Sequence, residues 1–188
     1  MATDHNANAT AALAERLGRL LATETHANDL LPVQWEALRY LSRANRFSRT
    51  ASALTAYLGI TKGTVSQTLK ALESKGLVRK QGDPTDKRRK LLALTAKGRK
   101  RLQDDPLQRT VDAIESLAAG TQRDLGKGLT ALLSARLQSQ GRQAFGQCRD
   151  CRFFRRKHGD GAPHYCALLE EPLSSSDSDA ICVEQNPL

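Results

Sequence analysis

The chain has 188 residues, with 29 Lys and Arg against 20 Asp and Glu and a net charge of +9. This length can hold one domain of ordinary size and a small appendage. The sequence has no long apolar run and no signal-peptide pattern at its start, so we expect a soluble, cytoplasmic protein without a membrane partner. It also lacks a phosphate-binding loop, a dinucleotide fingerprint, a Ser/His/Asp arrangement and paired catalytic carboxylates. We therefore predict that the protein is not an enzyme.

The positive charge is concentrated in the middle of the chain. Residues 33–101 contain seventeen Lys or Arg and four Asp or Glu, a local net charge of +13, and the remainder sums to −4. A basic segment between flanks of opposite sign is typical of a protein that binds a polyanion such as nucleic acid. Charge alone leaves open a solvated basic surface without a partner.

Two helices are predicted in the first 45 residues. Leucines recur at helical spacing after Thr10, and a second helix follows Pro32, whose backbone angle suits a first helical turn. In the second helix, Trp35, Leu38 and Leu41 recur every three residues. This spacing indicates a buried face, and we expect Trp35 to be a core residue.

The next segment has the pattern of two short helices joined by a tight turn. Gly59 supplies the turn, and Thr61 can cap the second helix. In that helix Val65, Leu69 and Leu72 recur at i, i+4 and i+7, which predicts one narrow apolar face. The opposite face carries small or hydrogen-bonding side chains of the kind that contact nucleic acid.

Two short strands are predicted at residues 77–80 and 90–95. Residues 81–89 between them are basic and rich in turn-forming residues, as in the tip of a hairpin. Asp83 and Asp86 are expected to shape this turn and to hold neighbouring basic side chains.

The run from Asp83 to Arg88, followed by residues 94–98, resembles the wing of the MarR family of bacterial transcription regulators. The preceding helix pair is similar to that family too, and the resemblance extends in layout over residues 10–140. It implies a mainly α fold with a small β wing, in which N- and C-terminal dimerisation helices flank a winged helix-turn-helix. It also implies a homodimer that binds a pseudo-palindromic operator in double-stranded DNA. The last forty residues are an addition that the usual family member lacks.

Four parts of the chain are predicted from these patterns. Pro106 is expected to break the helix that leaves the wing, and residues 121–124 resemble a capping box at the start of a later helix. The predicted parts are an N-terminal dimerisation helix at 1–32, the winged helix at 33–101, C-terminal dimerisation helices and a linker at 102–147, and a small Cys-rich metal-binding tail at 148–188.

The resemblance also assigns residues to DNA recognition. Gln67 can pair bidentately with adenine and is expected to meet a base edge, whereas Lys62 and Lys70 are expected to contact phosphates. An arginine of the wing would enter the minor groove, and both Arg88 and Arg89 are candidates because this chain departs from the Asp-Arg-Arg pattern of many relatives. The predicted DNA-binding residues are Lys62, Thr64, Ser66, Gln67, Lys70, Lys87, Arg88 and Arg89.

All four cysteines lie in the tail. Cys148 and Cys151 are separated by two residues, and Cys166 and Cys182 follow at longer spacings. Four thiolates bind either an iron–sulfur cluster or a structural zinc ion, whereas disulfides are disfavoured in a reducing cytoplasm and a thiol switch needs only two cysteines. Apolar neighbours and the absence of a second short Cys pair favour the cluster. We predict an iron–sulfur cluster on Cys148, Cys151, Cys166 and Cys182, with zinc as the alternative.

Together these observations predict a dimeric MarR-type regulator whose operator affinity depends on the state of the cysteine centre. The coupling is expected to pass through the dimerisation helices that precede the tail. The alternative is a MarR-type regulator that senses a small organic ligand and carries a structural zinc tail.

Overall fold

The protein is described by a computed structural model, which covers residues 6–26, 29–83, 88–157 and 161–187. Its helices are α1 (Ala7–His26), α2 (Pro32–Arg43), α3 (Ala51–Leu58), α4 (Lys62–Ser74), α5 (Ala96–Arg101), α6 (Gln108–Glu115), α7 (Ala119–Ser139) and α8 (Ser175–Ser178). Its strands are β1 (Val78–Gly82), β2 (Lys90–Leu94), β3 (Gly146–Gln147), β4 (Phe154–Arg156), β5 (His164–Cys166), β6 (Glu171–Leu173) and β7 (Ile181–Cys182). Within the described residues, no helix is long and apolar enough to cross a membrane.

Helix α2 lies at the centre of the core. It begins at Pro32, as predicted, and ends at Arg43, two residues before the predicted end. Trp35 and Leu38 have no exposed surface, which confirms the predicted buried face. Helices α1, α3 and α4 and strand β2 all pack against α2, so one short helix organises the first hundred residues.

The helix-turn-helix forms where the sequence predicts it. Thr50 caps α3 by accepting a hydrogen bond from the Ala53 N–H, and Gly59 ends that helix at a φ of +66°. This left-handed conformation has little steric cost for glycine, which explains glycine at the turn. The Thr61 side chain accepts a hydrogen bond from the Thr64 N–H at 3.2 Å and caps α4, as predicted.

Strands β1 and β2 form the antiparallel wing. Val78 pairs with Leu94 and Gly82 with Lys90, so the ladder continues two residues further along β1 than predicted. The Leu92 N–H of β2 donates a 2.7 Å hydrogen bond to the Arg49 carbonyl oxygen. The wing is therefore attached directly to the loop between α2 and α3.

The helical segment after the wing is interrupted near Pro106, as predicted. A short 3-10 turn follows α5, and α6 begins only at Gln108. The predicted capping box at residues 121–124 is wrong, because α7 begins at Ala119 without a side-chain cap. Instead, the Gln122 side chain donates to the carbonyl oxygens of Glu115, the last residue of α6, and Leu117, so these contacts stabilise the turn before α7.

The tail forms two small sheets rather than an extension of the wing. Strands β3 and β7 pair antiparallel, and β4, β5 and β6 form a three-stranded antiparallel sheet. Helix α8 begins with a capping box in which Ser174 and Asp177 exchange hydrogen bonds. A parallel bridge between Ala44 and Ile181 joins the tail to the end of α2.

A glycine substitution tests the close approach of α5 to the wing. A Cβ added at Gly98 would lie 2.1 Å from the Leu77 carbonyl oxygen. Gly98→Ala is expected to lower the free energy of unfolding by about 1–3 kcal/mol or more, because the backbone at Leu77 or in α5 must move to make room for the methyl group. Urea denaturation measures the loss. In the control Gly120→Ala no atom lies within 4 Å of the new Cβ, and stability should hold or rise by up to about 1 kcal/mol; equal losses would contradict the packing.

Candidate nucleic-acid interface and buried thiol pair

Helix α4 separates a buried back from an exposed front. Val65, Thr68, Leu69 and Leu72 are buried against the core. The opposite face is exposed, and it carries every predicted α4 contact residue: Lys62, Thr64, Ser66, Gln67 and Lys70. Packing of the buried face against the core fixes the orientation of the helix, and the exposed side chains therefore have a defined position.

The cap of α4 occupies part of this front. The hydroxyl groups of Thr61 and Thr64 lie 2.9 Å apart and share a hydrogen bond, while the Thr64 N–H also donates to Thr61. Thr64 therefore takes part in the start of the helix. Ser66, Gln67 and Lys70 lie beyond the cap.

The two wing arginines have different surroundings. Arg89 is half-buried, donates to the Phe47 carbonyl oxygen and lies 3.7 Å from the Asp83 carboxylate. The Asp83 N–H also donates to the Arg89 carbonyl oxygen, so Asp83 closes the base of the hairpin. Arg88 is exposed. Asp86 and Lys87 lie outside the described residues.

Comparison with known proteins identifies the architecture. Residues 28–89 match a model of the MarR family. The S. aureus MepR structure in its DNA-binding conformation has a TM-score of 0.59 at 23% identity, over 67% of this chain and 97% of that one. The chain has the MarR-type winged-helix fold.

Two further structures support the assignment of this MarR-type fold. The S. aureus MepR–DNA complex is 25% identical with a TM-score of 0.52, over 66% of this chain and 96% of that one. BldR from Sulfolobus solfataricus is 24% identical with a TM-score of 0.55, over 68% of this chain and 91% of the BldR chain. No curated protein matches the chain.

The tail brings two of the four cysteines together. Cys148 and Cys182 are both buried, and hydrogen bonding between their side chains shifts the pKa values of the two thiols in opposite directions. This bond raises the pKa of Cys148, and burial raises it further. The same bond lowers the pKa of Cys182 to about 6, with help from Asn45, the Glu184 N–H and Ser48. Within this pair, ionisation of Cys182 is favoured over ionisation of Cys148.

The other two cysteines do not complete the predicted centre. Cys151 is half-buried and accepts a 3.4 Å hydrogen bond from the Asn186 N–H, and Cys166 lies in the separate three-stranded sheet. Among the described residues, no group of three or more His, Cys, Asp and Glu side chains is arranged to hold a metal ion. The described arrangement therefore does not support the predicted iron–sulfur centre on Cys148, Cys151, Cys166 and Cys182.

Sequence patterns did not reveal two polar residues next to the thiol pair. Asn45 and Ser48, in the loop after α2, are 1% and 0% exposed. The Asn45 amide donates a 3.2 Å hydrogen bond to the sulfur of Cys148, and the Ser48 hydroxyl accepts one of 2.9 Å from the Val183 N–H. Their only sequence signal is two polar side chains beside an apolar helix, which is also typical of an exposed loop.

Arg46 provides a charged contact between the same loop and the tail. Its guanidinium donates to Asp177 at 3.0 Å, to Glu171 at 3.3 Å and to the Pro172 carbonyl oxygen at 2.5 Å. It also lies 4.3 Å from the ring centre of Phe47. The acidic part of the tail therefore docks on the basic winged helix.

Removing this arginine tests the docking. Arg46→Ala is expected to lower the free energy of unfolding by about 1–2 kcal/mol, since it removes a network of partly exposed charged hydrogen bonds. It should also speed proteolysis within the tail. The matched control is Arg79→Ala on exposed β1, which removes the same charge away from the tail. Equal tail cleavage in both variants would show that Arg46 does not hold the tail.

Proposed function

We propose that this protein is a MarR-type DNA-binding transcription regulator. The observation that carries the proposal is the exposed front of α4, on a capped helix with a buried back and with the basic wing beside it. The local charge of +13 over residues 33–101 favours a polyanionic partner. The resemblance to a MepR–DNA complex supports the same partner.

In the proposed complex, α4 lies in the major groove. Gln67 is exposed at the middle of the helix and meets a base edge, for which its amide supplies one donor and one acceptor. Lys62 and Lys70, at the two ends of the same face, contact phosphates and position the helix. Ser66 lies between these positions, and Thr64 contributes mainly through the cap.

The wing arginines take different roles in this proposal. Arg88 is exposed and enters the minor groove, where its planar guanidinium suits the narrow, negative cleft. Arg89 braces the base of the wing, because its guanidinium is already bonded to the Phe47 carbonyl oxygen. Lys87 contacts a phosphate.

The regulator is proposed to act as a homodimer on a pseudo-palindromic site. Helices α1 and α7 carry leucines between 43% and 61% exposed, which is a large apolar surface for a single chain. A second copy covering both helices would bury this surface and place two α4 helices in successive major grooves. The leucines are Leu13, Leu17, Leu20, Leu129, Leu132 and Leu133.

The tail is proposed to hold a metal centre, with an iron–sulfur cluster first and zinc as the alternative. Its support is the grouping of all four cysteines within the tail and the Asn186 N–H that donates to the Cys151 sulfur. Such donors stabilise thiolates around metals. Cys151 and Cys166 would have to move towards the buried pair to complete the ligand set.

A cleft between α1 and α2 favours a small-molecule effector as a second mode of regulation. Its lining is mostly apolar and includes three charged residues, Glu24, Glu36 and Arg39. Burial raises the pKa of Glu36, while Arg39 lowers it. Arg39 itself forms two hydrogen bonds with Asp105, at 2.6 and 2.7 Å. The cleft therefore suits a weakly polar organic molecule.

The DNA proposal is tested with duplexes selected from a random library. Gln67→Ala should relax base preference and cost about 1–3 kcal/mol on the selected site, because a bidentate contact is lost. Lys70→Ala should weaken all duplexes evenly and flatten the salt dependence. Binding profiles at two salt concentrations separate the two effects, and two chains per duplex are expected. If Gln67→Ala keeps the sequence preference of the wild type, the residues that contact the bases lie elsewhere. If the wild-type protein prefers no duplex over random DNA, the proposed function as a sequence-specific regulator is refuted.

The metal proposal is tested by anaerobic purification with iron, sulfide and zinc analysis. The expected result is bound iron and sulfide that Cys166→Ser loses. Zinc without sulfide would support the structural alternative. Protein without either, but with four titratable thiols, would refute a metal centre.

A further inference from the structure

The tail and the wing both contact one short loop, residues 44–49. On the tail side, the Asn45 N–H donates to the Ile181 carbonyl oxygen at 2.9 Å and its side-chain amide donates to Cys148. The Ser48 hydroxyl accepts from the Val183 N–H. These bonds attach the loop to Cys148, directly after β3, and to β7 with the residue that follows it.

The wing contacts the same loop through its backbone carbonyl groups. The Leu92 N–H donates to the Arg49 carbonyl oxygen at 2.7 Å, and the Arg89 guanidinium donates to that of Phe47. Each loop residue that bonds to the wing is adjacent to one that bonds to the tail. A shift of the loop therefore moves the base of the wing.

Internal hydrogen bonds make the loop a single rigid unit. The Asn45 side-chain oxygen accepts from the N–H groups of Phe47 and Ser48 at 3.1 and 2.9 Å. The Tyr40 hydroxyl donates to the Ser48 carbonyl oxygen at 2.7 Å, which holds the loop on α2. Asn45 and Ser48 are buried, so leaving their polar atoms without partners is costly. Loss of the tail contacts therefore favours a different loop conformation.

We propose that the tail is an intramolecular regulatory ligand of the winged helix, and that Asn45 and Ser48 transmit the state of the Cys148–Cys182 pair to Arg89 and the wing. Any change that separates the two sulfurs or removes the Asn45 contact then alters the wing. This route is distinct from the expected coupling through the dimerisation helices. Its effect on DNA rests on the proposed function, whereas the coupling of tail and wing does not.

The coupling is tested without DNA by amide hydrogen exchange of Leu92 in the full-length protein. Cys148→Ala removes the acceptor of the Asn45 amide, and the Leu92 amide should exchange about 5-fold faster or more. Cys148→Ser restores a small acceptor and should recover most of the protection. The control is Arg156→Ala, at an exposed position of the separate three-stranded sheet, which should leave Leu92 exchange unchanged. Unchanged exchange in Cys148→Ala, or equal acceleration in Arg156→Ala, would overturn the proposal.

A second variant keeps the test valid if Cys148→Ala fails to fold. Asn45→Asp retains the oxygen that accepts from Phe47 and Ser48 but loses the donor to Cys148. It should also accelerate Leu92 exchange while the amides of α7 stay unchanged. Protection equal to the wild type would show that the Asn45–Cys148 bond transmits nothing.

The effect of the coupling on DNA binding is tested with a double-mutant cycle, in which the affinity for the selected duplex is measured. Cys148→Ala and Arg89→Ala should be non-additive, with Cys148→Ala weakening binding about 5-fold or more only when Arg89 is present. The parallel cycle with Arg79→Ala should be additive. Additive effects with Arg89 would refute the route to the wing. Altered Leu92 exchange in a protein that prefers no duplex would instead retain the coupling and refute the proposed function.

Discussion

Burial of helix α2 is the constraint on which the other elements depend. Trp35, Ala37 and Leu38 have no exposed surface, so α1, α3, α4 and β2 must surround one short helix. Each large side chain buried in this way contributes about 1.5–3 kcal/mol. Helix α4 gains its fixed back from the same core, through Val65 and Leu69. The exposed front of α4 can therefore present side chains in a defined geometry.

The end of α2 also determines where the tail docks. The chain leaves the helix into residues 44–49, where polar groups are buried and must find partners. The tail supplies them through Cys148, Ile181 and Val183, and its acidic residues meet Arg46. Hydrogen bonding and charge complementarity thus place an appendage of small sheets on the basic module. An appendage of this size has little core of its own, so this docking contributes to its stability.

The linker between α7 and the tail provides a second attachment to the helix-turn-helix. The Arg142 guanidinium donates to the carbonyl oxygens of Ala56 and Tyr57, at the C-terminal end of α3, where a cation is favourable. The rings of Tyr57 and Phe145 lie edge to face at 5.2 Å, and Tyr40 packs against both. The tail is therefore connected to the helix-turn-helix through the loop before α3, and the linker that leads into the tail is bonded to the C-terminal end of α3.

Local sequence patterns by themselves determined the helices, the turn at Gly59, the cap at Thr61 and the exposed face of α4, because these depend on residues close in sequence. The failed capping box shows that helix starts are less certain, since α7 begins two residues earlier, at Ala119, and Gln122 donates to the Glu115 carbonyl oxygen instead. Only the tertiary structure decided which thiols meet. The spacing of Cys148 and Cys151 suggested a pair, but antiparallel pairing of β3 with β7 brings Cys148 to Cys182. The pairing of distant strands and the burial of Asn45 depend on how the whole chain packs, and local periodicity carries no information about either.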